Sequence, residues 1–326
     1  MPDIPERKTA SADLPPLVIL TGPTAVGKTS LSIRLAGELG GEIISADSVQ
    51  VYRRMDIGSA KILPDEMQGI PHHLIDILEP TESFDAFRFR ELAKEKAAQI
   101  HARGKLPIVV GGTGFYIQAL LRDIHFSQQE TDEAYRQSLW EMAERDGAQV
   151  LHEMLRKADP ESADAIPAEN IKRVIRALEY HHTTGQPISV HNREESLRPA
   201  AYRACYFVLS DVRERLYERI DRRVDEMMEA GLEGEVRGLL EEGVTPEMTS
   251  MQAIGYKEMV PVIRGAYTAE EAAYRIKRNT RHFAKRQLTW FRREGDVIWV
   301  PKDRYGYDED AILRELIRQV KETLCS

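Results

Sequence analysis

Cysteine is almost absent from this 326-residue chain, which has only Cys205 and Cys325. Cys205 stands in an apolar, strand-like run and Cys325 at the tail. Two such thiols give neither a disulfide framework nor a zinc site, and a reducing, cytoplasmic setting is expected. Long apolar runs are missing too: none approaches membrane length, so no membrane partner is expected. The segment from Met1 to Pro16 is polar and dotted with proline. It lacks the apolar stretch of a secretory signal and is expected to be a flexible lead-in. Positive charge is in deficit, 45 Lys and Arg against 53 Asp and Glu, for a net −8. That balance excludes a chain that coats nucleic acid indiscriminately, while leaving room for a local basic surface. Internal repeats and low-complexity tracts are also lacking. The length suits one large domain with an insertion better than two equal domains.

What the chain does contain is organised around Gly22-Pro23-Thr24-Ala25-Val26-Gly27-Lys28-Thr29. The apolar run Leu17–Leu20 precedes it and a helically spaced segment from Ser30 follows, which is the setting a G-x-x-x-x-G-K-[ST] phosphate loop needs. Its glycines allow successive backbone N–H groups to face phosphate oxygens, and the helix N-terminus adds positive potential. Lys28 is expected on the terminal phosphate and the Thr29 hydroxyl on Mg²⁺. The motif itself matches nucleotide (ATP) loops. It identifies a diphosphate without saying which bond breaks.

Alternating strands and helices from Leu17 to about Leu121 predict an α/β fold, a parallel sheet flanked by helices. Strands are expected at Glu42–Ala46, His73–Ile77, Leu106–Val110, Arg203–Leu209 and Asp296–Val300, with a helix over Phe87–Arg103. Between residues 124 and 199 strand signals vanish. Helix starts at Thr131-Asp132-Glu133 and Pro160-Glu161 indicate an all-helical insertion, leaving 17–123 and 200–326 as the core. Capping boxes are expected at Asp211/Glu214 and at Thr268/Glu271, the second opening a long helix through Trp290.

Ligands of open parallel sheets sit at the carboxyl ends of strands, so the loop, Asp47 and Thr113 should converge on one cleft. Asp47 suits either a magnesium ligand or a general base. The familiar downstream magnesium-binding carboxylate is missing, because Gly111-Gly112-Thr113 holds that strand end. This weakens an NTPase or kinase reading. Arg223 and its helix neighbours read from spacing alone as a solvated face with i,i+4 partners. From Ala272 to Arg293 no acidic residue occurs, while Arg278, Arg281, Lys285 and five other basic residues do, interleaved with Phe283, Trp290 and Phe291. Such segregation suggests a polyanion partner, the competing reading being a basic helix packed on acidic parts of the same protein. Lys172, Arg173 and Arg176 form a second basic cluster, in the insertion. Adjacent strand residues His72 and His73 point to opposite faces, so they cannot share a metal and read as structural.

These motifs, in order, resemble a known family. The phosphate loop is followed by Ser-Ala-Asp-Ser-Val-Gln-Val-Tyr at 45–52, Met-Asp-Ile-Gly-Ser-Ala-Lys at 55–61 and Pro-His-His-Leu-Ile-Asp at 71–76. Gly-Gly-Thr-Gly-Phe-Tyr at 111–116, Ile-Gly-Tyr-Lys at 254–257 and Ala-Lys-Arg-Gln-Leu-Thr-Trp-Phe at 284–291 complete the series. From Leu17 to about Val300 the chain resembles bacterial tRNA dimethylallyltransferases, the tRNA isopentenyltransferase family. Ser59 stands where the family commonly has Thr, which keeps the hydroxyl. No zinc module of the eukaryotic kind is expected.

The resemblance implies transfer of a dimethylallyl group from dimethylallyl diphosphate to N6 of the adenine 3′ of the anticodon of tRNA. It implies Asp47 as general base, Thr113 as a contact to the target nucleotide or diphosphate, and Arg223 on the diphosphate with Lys28 and the Thr29-bound Mg²⁺. It implies tRNA contacts at Asp47, Ser48, Val49, Gln50 and Thr113, at Arg136, and at Lys172, Arg173, Val174, Ile175 and Arg176. Further contacts are implied at Gln252, Ala253, Ile254, Gly255, Tyr256 and Lys257, beside the basic residues Arg278, Arg281 and Lys285. The helical insertion would grip the anticodon stem-loop, and the protein is expected to act as a monomer. The competing activities are prenylation of free adenine nucleotides and a phosphate-loop kinase of small molecules.

Overall fold

The structure, a computed structural model, describes residues 14–126 and 132–324. Most of the N-terminal lead-in, Thr131 and Cys325 lie outside the described residues. In chain order the elements are β1 (Pro16–Thr21), α1 (Lys28–Leu39), β2 (Gly41–Ala46), β3 (His72–His73), α2 (Ala86–Ala102), β4 (Leu106–Gly111) and α3 (Gly114–Leu121). Five helices follow: α4 (Glu133–Asp146), α5 (Ala148–Ala158), α6 (Pro160–Ala165), α7 (Ile171–Thr184) and α8 (Ile188–Ser196). The chain continues with β5 (Arg203–Ser210), α9 (Arg213–Glu229), α10 (Leu232–Glu241), α11 (Tyr256–Ile263), α12 (Ala269–Phe291), β6 (Ile298–Pro301) and α13 (Glu309–Leu324).

The six strands form one sheet in the order β3-β2-β4-β1-β5-β6, every pair parallel. This is the α/β class that the alternating pattern predicts. The central strand β1 is buried along its length, with Leu17, Val18 and Leu20 at 0% exposure. A strand covered on both faces reads as a continuous apolar run rather than an alternation. Register fixes where the chemistry falls. Thr21 of β1 and Ala46 of β2 both pair with Gly111 of β4, so the segments leaving these three strands emerge side by side.

By compactness the chain divides into residues up to Leu121 together with those from Ala200, and a second unit, Arg122–Pro199. The second unit is α4 to α8 around Leu139, Leu151, Leu155, Val174, Ile175 and Leu178. Asp159, 1% exposed, accepts hydrogen bonds from the backbone N–H and hydroxyl of both Ser162 and Ser189, tying α6 to α8. In the first unit, Ala201 N donates to Leu121 O at 2.8 Å, so the two chain crossings that bracket the helical unit are bonded to each other.

Two local expectations fail. The strand expected at 73–77 is only His72–His73, because Leu74 and Asp76 adopt positive φ of 64° and 54°. That turn brings the Asp76 carboxylate onto the buried Lys61 ammonium. The capping box expected at Asp211/Glu214 does not form either. Asp211 Oδ1 accepts from the adjacent Val212 N, and α9 starts without a side-chain cap. Thr268, by contrast, accepts from Glu271 N at 3.2 Å and opens α12. His72 bonds Ile70 O and His73 bonds Glu42, which are structural roles.

Candidate active site

The phosphate loop connects buried β1 to α1. Gly27, at φ 95°, takes the left-handed conformation that lets the loop turn directly into the helix. Lys28 Nζ donates to Gly22 O at 3.0 Å and Pro23 O at 2.9 Å, so its ammonium curls over the loop. The loop is also held from outside. Arg219 of α9 donates from Nε to Ala25 O at 2.7 Å, and the Thr24 amide donates to Gln287 Oε1 of α12 at 2.9 Å. Gln287, 6% exposed, donates in turn from Nε2 to Gly112 O at 2.9 Å. One amide therefore bridges the loop after β1 and the loop after β4.

These loops line a cleft of about 770 Å³. Its polar wall includes Lys28, Thr29, Asp47, Thr113, Arg219 and Arg223. Asp47 directly follows β2, and its Oδ1 accepts from Val49 N at 2.8 Å and Gln50 N at 3.2 Å, an Asx turn in which Oδ2 takes neither bond. Apolar side chains, among them Ile33, Val49, Val224, Ile276 and Phe283, line the same space.

Charge is concentrated here. Lys28 keeps partial contact with solvent, yet crowding around its ammonium and the neighbouring Arg223 guanidinium lower its pKa to about 7, against the opposing pull of Asp47. Arg223 is likewise pushed below the ordinary arginine range by burial and by Arg219, with Glu226 and Asp47 opposing. Lys28 and Arg223, each with its charge disfavoured by a neighbouring cation, form a site that a multiply charged anion would relax. Among the described residues no group of three or more His, Cys, Asp or Glu is placed to hold a metal ion. A hard divalent cation here would have the Thr29 hydroxyl and would draw its other ligands from phosphate and water, which is how Mg²⁺ usually binds.

The description "IPP transferase" belongs to the family model that matches residues 50–294. A tRNA dimethylallyltransferase of Lachnoclostridium phytofermentans is 54% identical over 307 residues, 94% of this chain and 98% of the relative. One from Bacillus subtilis is 51% identical over 284 residues, 87% of this chain and 90% of the relative. The chain belongs to the IPP transferase family. Among solved structures, a tRNA isopentenylpyrophosphate transferase from Bacillus halodurans matches with a TM-score of 0.69 at 45% identity, covering 94% of this chain and 97% of that one. A eukaryotic dimethylallyltransferase acting on tRNA matches with a TM-score of 0.77 at 32% identity, covering 93% of this chain and 78% of that one.

In this member of the family the cleft gathers Thr24, Ala25, Gly27, Lys28 and Thr29 of the loop with Asp47, Ser48, Val49, Gln50, Thr113 and Arg223. Gln252, Ala253, Ile254 and Lys257 line it as well, whereas Gly22, Pro23 and Val26 are buried supports of the loop. Several residues implied as RNA contacts are placed otherwise. Val174 and Ile175 are core side chains, 0% and 2% exposed, and shape α7 rather than touch a ligand. Tyr256 is fully buried, its hydroxyl donating to Glu235 Oε1 at 2.7 Å, and Gly255 N is capped by Glu258 Oε2. Arg136 is paired with Glu179 and Glu133.

The basic run divides. Arg281 bonds both oxygens of Asp221 at 2.9 and 2.8 Å, and Lys277 pairs with Asp225 at 2.6 Å, so part of α12 is packed on acidic α9. Arg278 and Lys285 are exposed and form no ion pair among the described residues, as are Lys172, Arg173 and Arg176 of α7. Sequence reasoning missed Arg219 and Gln287. The first differs from its helix neighbours only by facing the loop. The second stood inside the quoted 284–291 motif, where its side-chain partners could not be read.

Proposed function

We propose that this protein transfers a dimethylallyl group from dimethylallyl diphosphate to N6 of the adenine 3′ of the anticodon in tRNA. The observation that carries this reading is the meeting, in one cleft, of a cationic phosphate cradle with the carboxylate of Asp47 and apolar side chains. The carbon–oxygen bond to the diphosphate breaks and the electron pair leaves with the diphosphate. A carbon–nitrogen bond forms to the exocyclic amine, whose proton passes to Asp47. That amine is a weak nucleophile because its lone pair is delocalised into the ring, so proton removal assists attack. Lys28, Arg219, Arg223 and the loop N–H groups stabilise charge growing on the leaving group. The Thr29 hydroxyl would hold Mg²⁺, which would supply further positive charge to the diphosphate. Thr113, after β4, positions the target nucleotide, which must leave its stack to enter a cleft of this size.

The Ser48–Gln50 and Gln252–Lys257 segments support a role in RNA contact where they line the cleft. Exposed Lys172, Arg173, Arg176, Arg278 and Lys285 supply charge for the phosphate backbone, the helical unit gripping the anticodon stem-loop. The protein would act as a monomer in the cytoplasm. Among the described residues no helix is long and apolar enough to cross a membrane.

The test is incubation with Mg²⁺ and radiolabelled dimethylallyl diphosphate together with unmodified tRNA carrying adenine at that position, or with AMP. Label is expected in the tRNA. Label in AMP alone would overturn the acceptor, and ATP consumption with label in neither would favour a kinase. Asp47→Asn should lower turnover by about 10²–10⁴-fold with tRNA affinity little changed; unchanged turnover would remove it as the base.

A further inference from the structure

The segment Asp56-Ile57-Gly58-Ser59-Ala60-Lys61 forms part of the cleft wall through Gly58, Ser59 and Ala60. Ala60 N and Lys61 N bond back to Ile57 O and Asp56 O within the segment. Glu235, on α10, takes the first three amides: Oε2 accepts from Asp56 N at 2.9 Å and Ile57 N at 2.7 Å, and Oε1 from Gly58 N at 3.1 Å. Oε1 also accepts from the Tyr256 hydroxyl at 2.7 Å. One carboxylate thus satisfies three consecutive amides and a buried phenol. The fit is tight, since a Cβ on Gly58 would lie 2.5 Å from the Tyr256 ring. At the other end of the segment the buried ammonium of Lys61 bonds Tyr52 O and the carboxylates of Asp56 and Asp76.

The fixed segment then holds something else. The Gln50 side-chain amide donates to Ser59 O at 3.3 Å and to Ala60 O at 3.2 Å. Gln50 N is one of the two amides that donate to Asp47 Oδ1 in the turn after β2. A continuous chain of hydrogen bonds therefore runs from Glu235 through the segment to Gln50 and on to Asp47. The phosphate loop is not on that path, being held by Arg219 and Gln287.

We propose that Glu235, oriented by Tyr256, is a positioning residue for the acceptor half of the site: it locks residues 56–58 so that Gln50 and the Asp47 turn are presented to the attacking amine. The inference rests on the function proposed above. It predicts that the acceptor side and the diphosphate side of the cleft respond differently to one mutation. A carboxamide at position 235 offers one acceptor oxygen to amides that now share two, and turns its NH₂ toward an N–H donor.

The experiment compares Glu235→Gln, Tyr256→Phe, Gln50→Ala and the double variant Glu235→Gln/Gln50→Ala. In steady-state prenylation of tRNA, Glu235→Gln should lower kcat/KM for tRNA by roughly 10-fold or more. The affinity for inorganic diphosphate should stay within about twofold of wild type. Adding Gln50→Ala to Glu235→Gln should cost less than about twofold further, since both act through one path. Independent, multiplying effects, or an equal loss of diphosphate affinity, would overturn the proposal. Tyr256→Phe leaves the amide nest intact and should show the same pattern in milder form, which covers the case in which Glu235→Gln fails to fold.

Amide hydrogen exchange separates this proposal from the assigned activity. Glu235→Gln should deprotect Val49 and Gln50 as well as residues 56–58, with the phosphate loop unchanged. If exchange behaves so while wild type transfers no label to tRNA, the activity is wrong and the clamp stands. Deprotection confined to 56–58 would overturn the clamp whatever the activity.

Discussion

Gln287 Oε1 lies 2.9 Å from the amide of Thr24, although 263 residues separate them in the chain. Since Gln287 Nε2 also bonds Gly112 O, one side chain from α12 sets the spacing between the phosphate loop and the strand end that carries Thr113. Gln287→Ala should destabilise the protein by about 1–3 kcal/mol, because it removes the partner of a part-buried amide and a part-buried carbonyl. It should also raise KM for the prenyl diphosphate more than KM for tRNA. Urea titration and steady-state kinetics with each substrate varied check both. Gln287→Glu, which keeps the acceptor but places a carboxylate against Gly112 O, should be worse than Ala for diphosphate binding.

Diphosphate binding should take up a proton. Lys28 has its pKa lowered to about 7 from the ordinary 10.5, and the anion restores its charge by supplying a counter-ion. The sign follows from linkage. Above pH 7 binding must be accompanied by protonation, so affinity falls as pH rises, and below pH 7 this dependence disappears. Calorimetry of inorganic diphosphate binding without Mg²⁺, in buffers of different ionisation enthalpy, should show proton uptake rising from pH 6 to pH 8.5. Without the anion, the unfolded chain binds one proton more than the folded protein between pH 7 and 10.5, so this group makes stability rise with pH over that window. Lys28→Arg should abolish the uptake.

The two kinds of cation on α12 should separate in a salt titration. Arg278→Ala and Lys285→Ala, at exposed positions that form no ion pair among the described residues, should each reduce the slope of log affinity for tRNA against log salt by about 0.7–0.9. Their thermal stability should match wild type. Arg281→Ala removes the Nη1 donor shared by both oxygens of Asp221, so it should lower stability while leaving the slope nearly unchanged. A full slope change from Arg281→Ala would mean that its pair with Asp221 opens when RNA binds.

Legibility in the sequence followed the range of the interaction. The α/β class and the central strands came from apolar runs, and the phosphate loop from spacing, because both are local patterns. The strand expected at 73–77 failed because Asp76 turns to meet Lys61, a contact fifteen residues back that no periodicity reports. The Asp211 box failed because its carboxylate found a nearer amide, that of Val212. In α12 the basic composition was plain, but which cations were neutralised depended on Asp221 and Asp225 of another helix. Val174 and Ile175 lay within a segment of exposed basic residues, and only the 3.6-residue period of α7 distinguishes the buried positions from the exposed ones. Arg219, Gln287 and Glu235 carry the support of the site, and each acts on backbone atoms far away in sequence. Their roles follow from tertiary geometry and left no local signature.

The bond between Ala201 N and Leu121 O closes the sheet-bearing unit on itself where the helical unit leaves and returns. For the polypeptide this makes 122–199 an excursion whose ends are already joined. Changing its length alters only a loop-closure entropy that grows slowly with residue number. Evolution could therefore enlarge, shorten or re-face the helical unit without re-solving the folding of the sheet-bearing unit.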